Sequence, residues 1–241
     1  MKMATRKAEQ GGATVRRLRV LLVDDHPIVG RAVAELLSQE PDMSVCAIAH
    51  DTPAALKAIG GLNPDIAVVD ISLPGTSGLE LMGEITASSP KLPVLVFSTH
   101  DETLYAERCL RAGARGYLMK DAPPEELVVA LRRIINGRVY LSDQMTAAML
   151  ARVVKGGACE TASSPLERLT NRELEVFRLI GQGFSTRQVA AALSISPKTV
   201  ESHSAKVKEK LGLHNSVQLQ QRAALWVKGI SLEESAGAPP Q

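Results

Sequence analysis

Residues 18–38, LRVLLVDDHPIVGRAVAELLS, read as an apolar strand, a pair of aspartates and a helix opened by Pro27. One carboxylate at the end of the strand would be an ordinary N-cap for the helix that follows, because it can accept from free backbone N–H groups. Two adjacent carboxylates, Asp24 and Asp25, repel, and the second costs free energy unless a cation comes to it. The strand ends at something that attracts positive charge.

The same alternation continues outward from this unit. The apolar runs MSVCAIA, IAVVD, VLVFS and GYLM precede helix-period segments at 52–60, 78–87, 102–112 and 124–136. With 27–38 this makes five strand–helix pairs in about 120 residues. Short connections between such pairs predict an α/β fold, a five-stranded doubly wound parallel sheet with helices on both faces. In an open sheet of that kind ligands bind at the carboxyl ends of the strands, where strand order reverses. Asp24 and Asp25 follow the first strand, Asp70 the third, Ser98 ends the fourth and Lys120 follows the fifth. Taken singly, Asp70 reads as a turn residue, Ser98 as a helix cap and Lys120 as a surface lysine. Taken with Asp24 and Asp25, they put three carboxylates, a hydroxyl and an ammonium on one edge. Carboxylates so grouped suit a hard divalent cation such as Mg2+. Asp70 is then placed to act as a nucleophile and form an aspartyl phosphate, with Lys120 and Ser98 meeting phosphoryl oxygens.

Charge divides the chain of 241 residues. Its formal net charge is only +2, yet residues 18–136 carry ten Lys/Arg against sixteen Asp/Glu, while 169–228 carry nine against four. An acidic module joined to a basic one implies a polyanionic partner for the second. Cys46, Cys109 and Cys159 form no close-spaced set, as expected of inert thiols in a reducing compartment. No run approaches membrane-spanning length and the basic N-terminus lacks an apolar core, so a cytoplasmic location without membrane contact is expected. Residues 1–17 and 229–241 read as disordered tails.

Residues 156–167, GGACETASSPLE, read as a linker after a helix at 142–155; the whole stretch 137–168 is taken as helix and linker. LTNRELEVFRLIGQG then opens on Thr170, three before Glu173, as in a capping box, and closes on glycine. A short helix at Thr186–Leu193, the turn SIS and a second helix opened by Pro197 have helix-turn-helix spacing. On that second helix Val200, Val207 and Leu211 form an inward stripe and Lys206, Lys208 and Lys210 point outward. A last helix, 216–227, repeats Val217, Leu219, Ala223 and Val227 imperfectly.

LLVDDHPIVG, VVDISLPGTSGLEL, PVLVFSTHD and GARGYLMKDA together resemble a two-component receiver domain, CheY-like and flavodoxin-like in fold, over residues 18–136. STRQVAAALSISPKTVESHSAKVKEKLGL resembles the LuxR-type DNA-binding domain, a small all-α unit over 169–228, and the pair resembles a NarL/FixJ-family response regulator. The resemblance implies that Asp70 is the phosphoacceptor of a sensor histidine kinase, and that Asp24, Asp25 and Asp70 hold Mg2+ with the Ser72 carbonyl. It implies further that Lys120 contacts the phosphoryl group and that Ser98 and Tyr117 are a coupled switch pair. Ser72 and His100 would border that group, with His100 an exposed loop histidine. In the second domain, Glu201, Ser202 and Ala205 would face base edges of double-stranded DNA, with Thr186, Lys198, Thr199 and Lys206 on phosphates. Ser204 stands where many relatives carry a basic residue, and His203 is expected to pack on the helix's inner edge. Phosphorylation is expected to free the DNA-binding domain from the receiver and to favour a homodimer through the last helix.

Three rivals stay open. An aspartate-nucleophile phosphohydrolase would want a second aspartate two residues after Asp70, where Ser72 stands. A ligand-sensing regulator would want an aromatic-rich pocket, and only 3% of this chain is aromatic. A regulator that binds DNA without phosphorylation would keep the same fold. The favoured reading is not an enzyme beyond slow hydrolysis of its own phosphate.

Overall fold

The computed structural model describes residues 16–74, 76–154 and 165–227. Residues 1–15 of the first expected tail, the whole of the second, residues 156–164 of the expected linker and Cys159 lie outside the described residues, while Arg16, inside the first expected tail, donates to Asp65 Oδ1 at 2.6 Å. Strands β1 (Leu18–Val23), β2 (Met43–Ala49), β3 (Ile66–Val69), β4 (Val94–Ser98) and β5 (Gly116–Met119) form one parallel sheet in the order β2-β1-β3-β4-β5. The order reverses between β1 and β3, so the acid pair after β1 and Asp70 after β3 flank the switch point.

Alternation along the strands builds two apolar layers. Val20, Leu22, Val68, Leu95 and Leu118 face α1 (Pro27–Ser38) and α5 (Pro124–Ile135), where Val33, Leu37, Leu127, Leu131 and Ile134 are buried. Leu21, Val23, Val69, Val96 and Tyr117 face the layer of α2 (Thr52–Leu62), α3 (Gly78–Ser88) and α4 (Glu102–Arg111), with Ile59, Met82, Ile85, Tyr105 and Cys109 in it. The expected strands and helices therefore form, within two residues at each boundary.

After α5 the chain returns to the edge of β5. Tyr117 N donates to Tyr140 O and Tyr140 N to Arg115 O, at 2.9 and 3.0 Å. Helix α6 (Asp143–Val154) then begins with Ser142, whose amide donates to Glu102 Oε1 at 2.9 Å.

A 3-10 turn, Pro165–Arg168, leads into α7 (Asn171–Gly181), α8 (Thr186–Ala192), α9 (Pro197–Leu211) and α10 (Ser216–Val227). The Thr170–Glu173 capping box forms as the spacing predicts. Gly181 permits a close approach: a Cβ there would stand 2.4 Å from Ala223 O on α10. On α9, Val200 and Val207 are buried and Leu211 half-buried. On α10, Leu219 and Ala223 are buried while Val217 and Val227 are exposed, which accounts for its imperfect repeat. No helix among the described residues is long and apolar enough to cross a membrane.

Candidate phosphoacceptor edge and nucleic-acid interface

Asp70 sits just beyond β3 and is almost fully buried. Its Oδ1 accepts from Ser98 Oγ at 2.7 Å and from Ser72 N at 3.3 Å, and its Oδ2 accepts from Lys120 Nζ at 2.7 Å. The Lys120 side chain also lies 2.6 Å from Asp24 Oδ2, a charge contact outside hydrogen-bond alignment. Burial acts to lower the Lys120 pKa, but Asp70 and Asp24 outweigh it and hold the ammonium above a free lysine's value. Helix α3 seats this edge from below: a Cβ on Gly78 would stand 2.0 Å from Asp70 O, so only glycine lets α3 start there.

The expected carboxylate cap of α1 takes a different form. His26 is the N-cap residue and makes no side-chain cap bond; Asp24 Oδ1 instead accepts from His26 N at 2.9 Å, just ahead of the helix. This turn brings one ligand atom each from Asp24, Asp25, His26 and Asp70 to within 4.8 Å of one another. Asp25 Oδ1 is buried with no aligned hydrogen bond, and its near neighbour is His26 Nδ1 at 2.7 Å. Oxygen donors with spare lone pairs fit a hard divalent ion. His26 was missed in the sequence because no second histidine stands at ligand spacing; its adjacency to the pair was the available signal.

His100 corrects the sequence reading. It is 5% exposed, not an open loop residue. Its Nε2 lies 2.8 Å from Ser72 Oγ, and its ring packs on Tyr105 with centroids 4.7 Å apart. Burial, reinforced by the Arg178 charge, pushes its pKa down to about 4, so the imidazole is neutral at physiological pH. Tyr117 is fully buried, and its hydroxyl donates to His100 O at 2.8 Å. Ser98 bonded to Asp70 and Tyr117 turned inward thus occur together.

In the basic half, Lys198, Thr199, Glu201, Ser202, Ala205 and Lys206 are exposed along α9, and Thr186 is exposed at the start of α8. Thr199 Oγ1 shares a 2.8 Å hydrogen bond with Ser196 Oγ, which also caps the helix. His203 is half-buried, with burial lowering its pKa, and Ser204 Oγ donates to Val200 O at 2.9 Å. Lys210 departs from the outward set: its Nζ reaches back to Glu173 Oε2 at 2.7 Å and ties α9 to α7.

Residues 20–132 match the family "Response regulator receiver domain", and residues 167–223 match "Bacterial regulatory proteins, luxR family". The chain is 34% identical over 209 residues to the oxygen regulatory protein NreC of Staphylococcus aureus (strain bovine RF122 / ET3-1), covering 86% of this chain and 96% of that one. Among solved structures it resembles a LuxR-family two-component response regulator from Aurantimonas sp. SI85-9A1 (34% identity, 57% of this chain and 99% of that one, TM-score 0.54). It also resembles RcsB from Salmonella enterica serovar Typhimurium bound to promoter rprA in the presence of phosphomimetic BeF3- (25% identity, 86% of this chain and 98% of that one, TM-score 0.57). A receiver edge at the switch point, an exposed helix-turn-helix and relatives matched across both halves lead to one conclusion. The chain belongs to the NarL/FixJ family of two-component response regulators, DNA-binding transcription factors that join a receiver to a LuxR-type helix-turn-helix domain.

Proposed function

We propose that a sensor histidine kinase phosphorylates Asp70 and that this controls how the chain binds double-stranded DNA. The observation that carries the reading is the buried Asp70 carboxylate, bonded at once to Lys120 and Ser98 beside a second acid pair. In the transfer a carboxylate oxygen of Asp70 attacks phosphorus, the phosphorus–nitrogen bond of a phosphohistidine breaks, and the imidazole leaves and regains a proton. Asp24, Asp25, Asp70 and the Ser72 carbonyl would hold Mg2+, which when bound would supply positive charge to the phosphoryl oxygens. Lys120 shifts its ammonium from carboxylate to phosphoryl oxygen, and the Ser98 hydroxyl donates to another. Ser98 and Tyr117 then convert the added charge into a changed surface around α4 and α5.

The chain acts as a phosphoacceptor with at most slow loss of its own phosphate. It works in the cytoplasm as a homodimer when phosphorylated, and the RcsB complex with promoter DNA supports the DNA arm. Glu201, Ser202 and Ala205 read base edges while Thr186, Lys198, Thr199 and Lys206 hold phosphates. The domain limits are proposed as 18–136 and 169–228, joined by 137–168. Intact mass after incubation with Mg2+ and acetyl phosphate tests the switch. One added phosphoryl group, absent in Asp70→Asn and accompanied by tighter DNA binding, is expected. No addition, or addition that leaves DNA binding unchanged, would turn the reading to a phosphate-independent regulator.

A further inference from the structure

The two domains share an apolar seam. Tyr105, Ala106 and Cys109 of α4 belong to one continuous buried cluster with Leu166 of the 3-10 turn and Leu169, Leu174 and Phe177 of the second domain. Its polar part is poorly matched: Tyr105 Oη and Arg178 Nε are buried without hydrogen-bond partners, although Tyr105 stands close enough to Glu175 and Arg178 to feel both charges. Arg108, by contrast, is bonded across the seam. Its guanidinium fork donates to Leu169 O at 2.8 Å, to Asn171 Oδ1 at 3.3 Å and to Leu166 O at 2.7 Å. One receiver side chain thereby holds the 3-10 turn and the start of α7.

That grip reaches the DNA-reading helix through rigid ties. Glu173 of α7 is bonded to Lys210 of α9, and Arg172 of α7 donates to Leu193 O at the end of α8, at 2.7 Å each. Yet the receiver covers neither reading element, because the residues expected to face bases and phosphates remain exposed with the domains docked. The docked arrangement also coincides with Ser98 on Asp70 and Tyr117 inward, the positions expected of a phosphorylated receiver.

We propose that Arg108 is a positioning residue that docks the DNA-binding domain with its reading face open, so that the docked molecule binds a single DNA site without the domains separating. Docking then sets the orientation of α9 rather than hiding it. The inference stands on DNA binding alone and does not require Asp70 to be the phosphoacceptor.

The test uses the full chain without phosphodonor and a short duplex holding one site, enriched from random sequence by the wild-type protein. Small-angle scattering and DNA titration are compared for wild type, Arg108→Ala and Arg108→Lys, after circular dichroism has confirmed that helix content is unchanged. Arg108→Ala is expected to raise the radius of gyration while its dissociation constant stays within about twofold of wild type, since an open face gains nothing from release. Arg108→Lys, a single ammonium in place of a fork, should fall between in scattering, and it carries the comparison should the alanine variant fail to fold. Binding about tenfold tighter in either variant would mean that a closed state had held most of the population, and would overturn the proposal. An unchanged radius of gyration in a folded variant would overturn it equally, by showing that Arg108 does not hold the dock.

Discussion

Lys120 faces two aspartates at once, and that leaves Asp25 as the carboxylate with least compensation: its near neighbour is His26, and both lie at the mouth of the cluster. The repulsion is an expense in stability that a bound cation removes. In protein stripped with a chelator, Asp25→Asn is expected to raise the free energy of unfolding by about 1 kcal/mol in urea titrations. Adding Mg2+ should stabilise wild type and leave the variant nearly unmoved. An equal Mg2+ effect on both would remove Asp25 from the ion site. At this scale the sequence was legible wherever chemistry sits at a strand end, since topology alone groups Asp24, Asp25, Asp70, Ser98 and Lys120. It was not legible for His100, whose burial comes from the Tyr105 ring and the Ser72 hydroxyl, partners distant in sequence. A loop histidine carries no local sign that another element will cover it.

Elements were easier to read than their partners. Alternation gave the two sheet faces, Pro27, Pro124 and Pro197 sit at helix starts, and Thr170 with Glu173 marks the start of α7. The second use of Glu173 was hidden, because Lys210 looked like one more outward lysine until α9 packed on α7. Burial acts to raise the Glu173 pKa, but Lys210 and the Thr170 amide outweigh it and hold the carboxyl below its ordinary value of 4.5. The unfolded chain therefore binds this proton more readily. The bond contributes fully above about pH 4.5 and is lost as pH falls through the lower folded value. Glu173→Gln is expected to lower stability by about 1 to 2 kcal/mol at pH 7, the scale of a charged hydrogen bond. The deficit should shrink in acid as wild type loses the same charge. A deficit of equal size at pH 7 and pH 3 would show that the ion pair between α7 and α9 contributes nothing.

On the scale of the whole molecule, a chain of contacts runs from the phosphoacceptor edge to the second domain. Ser72 meets the His100 ring, the His100 carbonyl takes the Tyr117 hydroxyl, the ring packs on Tyr105, and Arg108 one turn further along α4 grips the 3-10 turn and α7. Nothing in the sequence marked this path, because Arg108 resembles any basic residue near a helix C-terminus. The division of charge was visible, and its consequence is electrostatic. Under the proposed function, an acidic receiver held beside a basic domain directs DNA toward the exposed α8 and α9 surface, where Lys198 and Lys206 stand. Contacts to phosphate release counterions, so each one adds about 0.9 to the slope of log affinity against log salt. Lys206→Ala is therefore expected to weaken binding by a similar factor on the enriched duplex and on a scrambled one, and to lower the salt slope by about 1. Titrations of both duplexes between low and moderate salt measure the two quantities together. If the loss falls on the enriched duplex alone and the slope is unchanged, Lys206 reads bases rather than phosphate, and the docked orientation of α9 on DNA must be turned accordingly.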